Sequence, residues 1–158
     1  MRQKAVRELG ATMKLTEHFL LEEFTHSSTA LALGIQNNPT AAHLENLKHL
    51  AERMEAVRAL FDLTIEITSG YRNPQVNAAV GGVPNSAHAL GHAADFHVHG
   101  VPDLDAAKRI RDSELKFDQL IYEENRCVHI SFDPQQMRQQ VLRQPGGPGT
   151  PVHQGLEA

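Results

Sequence analysis

The stretch Ser-Ala-His-Ala-Leu-Gly-His-Ala-Ala-Asp at residues 86–95 constrains the fold most strongly, because it runs directly into the alternating segment Phe-His-Val-His at 96–99. This alternation predicts a strand over 93–99, with Asp95 and His97 on one face and Phe96 on the other. A loop therefore delivers imidazole and carboxylate groups to the beginning of a strand. Both groups are suitable zinc ligands, so the stretch is a candidate metal site.

A long helix is predicted over residues 39–61, with Asn38 and Pro39 as a suitable N-cap and first-turn pair. Its apolar side chains recur at intervals of three and four, the period of an amphipathic helix. They are Leu44, Leu47, Leu50, Ala51, Met54, Val57 and Phe61. Shorter helices are predicted within 15–24, over 75–80 and over 103–112.

Further strands are predicted at 63–68, 117–123 and 127–132. In the first of these, alternation turns three side chains inward, namely Leu63, Ile65 and Ile67. The other two form an antiparallel hairpin, because only three residues separate them.

The length of the hairpin loop predicts its register. Glu123 should lie opposite Cys127, and Ile121 opposite His129. One face of the hairpin then carries polar side chains and is the candidate site face, with Glu123, His129 and Ser131. The other face is apolar and is predicted to join the core through Val128, Ile130 and Phe132.

Composition narrows the classes of protein to consider. With 158 residues and a net charge of −4, the chain fits one globular domain and lacks the basic surface of nucleic-acid binders. The single cysteine cannot form an internal disulfide or a thiolate zinc site, so His and carboxylate groups must hold any metal. No segment is long and apolar enough to predict a membrane partner or a cleaved signal, so synthesis in the cytoplasm is expected.

The ends of the chain differ in composition from its centre. Residues 1–14 are predicted to be an N-terminal extension, and residues 15–133 the folded domain. Beyond residue 133 the sequence becomes rich in Gln and Arg and then in Gly and Pro, which predicts a largely flexible tail over 134–158.

Two histidines and one aspartate leave a fourth position open on zinc, which is the arrangement of catalytic sites. Glu123 is the candidate base, because as a diagonal cross-strand neighbour of His129 it could reach a water molecule at such a site. Arg72, in a predicted turn, could stabilise an oxyanion or bind a substrate carboxylate. On these residues alone, a purely structural role for the histidine-rich loop remains an alternative.

Three motifs together resemble the zinc D-Ala-D-Ala carboxypeptidase family of peptidoglycan peptidases, in the group that includes lysostaphin-type enzymes and the hedgehog domain. They are Ser-Gly-Tyr-Arg at 69–72, Ser-x-His-x-x-Gly-x-Ala-x-Asp at 86–95 and Val-His-Ile-Ser at 128–131. The similarity runs from about residue 15 to residue 133.

This resemblance implies one zinc ion per chain, held by His88, Asp95 and His129. It implies that Arg72 and Ser86 contact the substrate or its tetrahedral intermediate. It also implies that a glutamate ahead of the last ligand serves as the base.

The sequence departs from the family at two positions that bear on the base. Many members have Trp where this chain has Cys127, and some place the base where this chain has Arg126. Glu123, six residues before His129, matches the hedgehog-like arrangement and the predicted hairpin register. Glu124 is the second choice for the base, since it should point the other way or into the turn.

The expected fold is therefore α+β, with a small antiparallel sheet, helices on one side and a zinc cleft on the other. The expected function is zinc-dependent hydrolysis of a stem or cross-link peptide bond in peptidoglycan, as a D,D-carboxypeptidase or an endopeptidase. A monomeric phage or prophage lytic enzyme, released by a holin-type partner, is the expected setting. The alternative is a non-catalytic zinc-containing binding module or a phage structural module with a degenerate site.

Overall fold

Six strands form one open sheet in the computed structural model, which describes residues 13–157. They are β1 (Ile65–Ser69), β2 (Ala93–Val98), β3 (Gln119–Glu123), β4 (Cys127–Ser131), β5 (Gln140–Gln144) and β6 (His153–Gln154). Their order across the sheet is β1-β2-β4-β3-β5-β6, and every neighbouring pair is antiparallel except β3 and β5. The predicted α+β class is confirmed, with one parallel pair in a mostly antiparallel sheet.

Helices precede β1 and lie between β1 and β2 and between β2 and β3 along the chain. They are α1 (Leu21–Thr25), α2 (Ser28–Leu33), α3 (Ala41–Phe61), α4 (Pro74–Ala79), α5 (Ala87–Leu90) and α6 (Asp103–Arg111). α6 packs against the three central strands, and α3 packs against β2. None of the helices within residues 13–157 has the length and apolar character needed to cross a membrane.

Two predicted helix beginnings are corrected by the structure. The Thr40 hydroxyl accepts a hydrogen bond from the His43 amide at 3.1 Å, so Thr40 is the N-cap of α3 and Asn38 and Pro39 precede it. The first helix is limited to residues 21–25, because the chain before it turns back in a bridge between Lys14 and Leu20.

The core lies on the helix-covered face of the sheet. It confirms the apolar side of the hairpin, since Val128 and Ile130 are fully buried and Phe132 is nearly so. In β1 the prediction is partly wrong, because the strand begins at Ile65 and Leu63 remains 37% exposed before it. The predicted hairpin register is confirmed, with Glu123 opposite Cys127 and Ile121 opposite His129.

The C-terminal segment is ordered, so the prediction of a largely flexible tail is wrong for it. β5 pairs with the edge of β3, and Leu142 and Leu156 are buried. The stabilising interactions are backbone pairing to a distant strand and burial of two leucines, neither of which a local shortage of apolar residues excludes. The predicted N-terminal extension falls almost wholly outside the described residues.

Candidate metal centre and substrate cleft

His88 is presented by α5, a helix of only four residues. The Ser86 hydroxyl caps this helix by accepting a hydrogen bond from the Ala89 amide at 3.2 Å, and it donates to Asn77 Oδ1 at 2.8 Å. Gly91 ends the helix with a φ of 79°, a conformation that favours glycine. The structure thus gives Ser86 a local role that the sequence did not reveal, while its predicted contact with substrate stays a prediction.

A backbone carbonyl orients the His88 ring. Nδ1 of His88 lies 2.7 Å from the Gly70 oxygen, so Nδ1 carries the proton and Nε2 keeps its lone pair for the site. The Phe24 backbone packs so closely against position 70 that this residue must be glycine, because a Cβ there would lie 2.6 Å from the Phe24 oxygen. The Ser-Gly-Tyr-Arg segment therefore helps to position the first candidate ligand.

The register of the sheet brings the other two candidate ligands together. Asp95 on β2 lies opposite His129 on β4, and Asp95 Oδ1 is 2.9 Å from His129 Nδ1 and 3.2 Å from His88 Nε2. Each of the three residues offers one ligand atom, and these atoms all lie within 4.8 Å of one another. All three side chains are buried.

The electrostatics of this cluster favour a cation. Burial raises the pKa of Asp95, but its interactions with the His88 and His129 rings outweigh burial and hold the pKa well below its usual range. Burial lowers the pKa of His129, yet the hydrogen bond and charge of Asp95 raise it overall. Two imidazoles and one ionised carboxylate, with one ring fixed by a carbonyl, are a donor set that fits zinc.

Arg72 lies beside the cluster, with Nη2 at 3.5 Å from Asp95 Oδ2. Its backbone amide donates to the His88 oxygen at 3.1 Å. Asn37 holds the peptide groups on both sides of Arg72, donating to the Tyr71 oxygen at 2.7 Å and accepting from the Asn73 amide at 2.8 Å. Asn37 was not identified from the sequence, because these contacts join residues 34 or more positions apart.

Glu123 faces the same cleft. Ligand atoms of Asp95, Glu123 and Cys127 lie within 4.8 Å of one another, so the Glu123 carboxylate lies close to the candidate metal ligands. Burial and the nearby carboxylates raise the pKa of the Cys127 thiol, which stays protonated and donates to Glu123 Oε2 at 2.7 Å. Glu124 instead pairs with Arg143 at 3.0 Å. The geometry thus favours Glu123 over Glu124 as the candidate base.

A cleft of about 430 Å³, in the size range of small-ligand sites, is lined by Arg72, Asp95, Glu123 and Cys127. Gly81 and Gly82 form part of its wall, and Gln144, Pro148 and Gly149 from the C-terminal segment form another part. His97 also reaches the cleft and bonds Asp103 Oδ1 at 2.8 Å. The contribution of the C-terminal segment was missed, since that segment was expected to be flexible.

Comparison with known proteins gives one family match. A family model described as Peptidase M15 matches residues 17–131 of the chain, a range that includes every candidate site residue. No curated protein matches the sequence. The match ends with β4, so β5, β6 and the cleft wall that they carry lie outside it.

Proposed function

The chain belongs to the peptidase M15 family, a family of zinc metallopeptidases, and from this premise we propose that it hydrolyses a stem or cross-link peptide bond of peptidoglycan. The reaction would be that of a D,D-carboxypeptidase or an endopeptidase. The observation that carries this proposal is the position of Asp95, whose carboxylate contacts both candidate ligand histidines and also lies close to Glu123.

The candidate ligands are His88, Asp95 and His129, one zinc ion per chain. Zinc held there would supply a Lewis acid that polarises a peptide carbonyl and lowers the pKa of water. The buried, preorganised donor atoms explain why the residues would bind a cation without a large rearrangement.

Glu123 is the proposed general base. It would take a proton from the attacking water and pass it to the nitrogen of the leaving amine. Only 17% of its side chain is exposed, and its Oε2 accepts a hydrogen bond from the Cys127 thiol, so the carboxylate is held in the cleft.

Arg72 is the proposed partner of the developing oxyanion or of the substrate. Its guanidinium lies next to Asp95 and in the cleft, so it can donate to a negatively charged oxygen near the metal ligands. Ser86 remains a proposed substrate contact.

The experiment joins zinc analysis with hydrolysis. Elemental analysis of the wild type should find about one zinc per chain, and zinc should be lost together with peptide release in His88→Ala. Glu123→Gln should keep zinc and folding but lower kcat by at least a hundredfold, as expected for a general base. Glu124→Gln is the matched control and should keep near wild-type activity.

A zinc-free wild type that shows no hydrolysis would overturn the proposal. Full activity in Glu123→Gln would overturn the role of Glu123. Release of amino groups from purified peptidoglycan, compared with cleavage of free D-Ala-D-Ala, distinguishes a wall enzyme from a dipeptidase. The finer proposal is a monomeric phage lytic enzyme released by a holin-type partner. It predicts lysis when the protein is added to bacteria whose peptidoglycan is accessible from outside.

The second candidate is a non-catalytic zinc-containing binding or phage structural module. It is favoured by the engagement of Glu123, whose Oε2 accepts a hydrogen bond from the Cys127 thiol. This candidate predicts about one zinc per chain with no release of amino groups from peptidoglycan.

A further inference from the structure

Arg126 faces the substrate cleft without a close carboxylate partner. It follows β3 in the hairpin turn and lines the cleft together with Arg72 and Glu123. Its nearest carboxylate contact among the described residues is Glu123 at 3.8 Å, which is too long for a hydrogen bond. Its Nε is buried and has no hydrogen-bond partner within residues 13–157.

The C-terminal segment holds Arg126 in this position. Gln144, which is only 9% exposed, accepts a hydrogen bond from Arg126 Nη2 through Oε1. The amide nitrogen of the same Gln144 side chain donates to the Thr150 oxygen at 2.8 Å. One buried amide therefore links Arg126 to the loop that carries Pro148 and Gly149, the outer wall of the cleft.

The Gln144 side chain is neutral, so its hydrogen bond does not offset the positive charge of Arg126. A guanidinium has five N–H donors in a planar fork that matches a carboxylate. Asp95 and Glu123 place negative charge in the same cleft, but Asp95 is already next to Arg72 and two histidines. Because Gln144 already holds the Arg126 side chain, Arg126 loses less side-chain entropy when it binds an anion.

We propose that Arg126 binds a carboxylate of the peptide substrate, on the Glu123 side of the metal ligands, in a subsite completed by Gln144 and the loop at 145–150. This inference rests on the proposed function and names a group that its substrate must carry. The carboxylate has two possible sources, the free C-terminus of the peptide or an acidic residue within it. The subsite depends on a segment that the family model does not match.

The test uses three versions of a stem pentapeptide, L-Ala-D-isoglutamate-L-Lys-D-Ala-D-Ala. The first is unmodified, the second has a C-terminal amide, and the third has isoglutamine in place of isoglutamate. KM and kcat are measured for the zinc-loaded wild type and for Arg126→Ala and Arg126→Lys. Arg53→Ala is the matched control, because Arg53 is exposed on α3.

Arg126→Ala should raise KM for the unmodified peptide by about tenfold to a hundredfold, the value of one charge-assisted hydrogen bond. Arg126→Lys should recover part of this loss, and Arg53→Ala should change nothing. The effect should disappear for one modified peptide, which identifies the source of the carboxylate. An equal KM increase for all three peptides, or a fall in kcat alone, would overturn the inference and indicate that Arg126 acts on Glu123.

Calorimetric titration with the same three peptides separates this inference from the proposed function. If the wild type binds the unmodified peptide but releases no product, the proposed hydrolysis fails while the subsite remains supported. If Arg126→Ala binds the unmodified peptide as tightly as the wild type, the subsite is wrong whether or not hydrolysis occurs. No binding of any peptide by the wild type would overturn both.

Discussion

The two sides of the cleft are built in different ways. On one side lies Asp95, and it and the two histidines that it contacts come from a short helix and two neighbouring strands within the family match. On the other side, Gln144 and the loop at 145–150 come from a segment beyond it, which joins the sheet by pairing with β3. The comparison indicates that the chemistry and the shape of this cleft depend on separate parts of the chain.

The largest effect is expected at the centre of the ligand side. Asp95→Asn removes the charged oxygen that both His88 and His129 contact, so zinc content should fall from about one per chain to below one tenth. Elemental analysis and peptide release measure the change. Asp112→Asn, an exposed aspartate on the surface, is the control. Normal zinc content in Asp95→Asn would contradict the ligand assignment.

A substitution in the C-terminal segment, which forms the other side of the cleft, should lower the stability of the protein without lowering its zinc content. Leu156→Ala opens space at a side chain that is 1% exposed, and should lower the free energy of unfolding by about 2–5 kcal/mol. Because no candidate ligand lies in this segment, zinc content should stay the same while KM rises. Urea unfolding and zinc analysis measure both, with Val152→Ala as the exposed control. Equal stability of the two variants would show that the segment does not contribute to the fold.

A smaller effect should link the turn at Gly70 to the metal. Gly70→Ala places a Cβ against the Phe24 oxygen and displaces the carbonyl that orients His88. The free energy of unfolding should fall by about 1–3 kcal/mol. Zinc affinity should fall about tenfold to a hundredfold, as for other groups that orient a ligand. Gly34→Ala also strains the backbone, because Gly34 has a φ of 67°, but a Cβ there meets open space, and zinc affinity should stay unchanged. Competition with a chelator measures the affinities, and equal values for both variants would contradict this role.

The smallest expected effect is a pH dependence of the stability of the metal-free protein, which arises from the candidate ligands. Folding lowers the pKa of Asp95, so its stabilising contribution is present above about pH 4 and is lost as the pH falls further. Folding raises the pKa of His129, so its contribution is present below about pH 6.5 and is lost as the pH rises through the folded pKa. Denaturant midpoints in a chelator should therefore peak between these values. A midpoint that keeps rising above pH 7 would contradict this.

Local patterns account for what was predicted correctly. The alternation around Asp95 identified β2, and a three-residue loop was sufficient to place Glu123 opposite Cys127. These predictions succeeded because side-chain periodicity and hairpin register depend on residues that are close in sequence. The proximity of His88 to His129 needed the resemblance to a known family, since 41 positions separate them in the chain.

Long-range contacts account for what was missed. Asn37 supports the peptide groups around Arg72 through contacts that no local pattern encodes. The C-terminal segment was judged by its Gly and Pro content, yet it pairs with an open strand edge that exists only after the hairpin has formed.

The sequence by itself determined the class of the fold and the face of the hairpin that carries Glu123, and its resemblance to a known family supplied the candidate ligands. The tertiary structure alone decided that Gly70 orients His88, that Gln144 holds Arg126, and that residues 145–150 form a wall of the cleft. The physical reason is that propensity and periodicity act between neighbours in the chain. Hydrogen bonds between distant backbone and side-chain groups become possible only when the packed sheet brings those groups together.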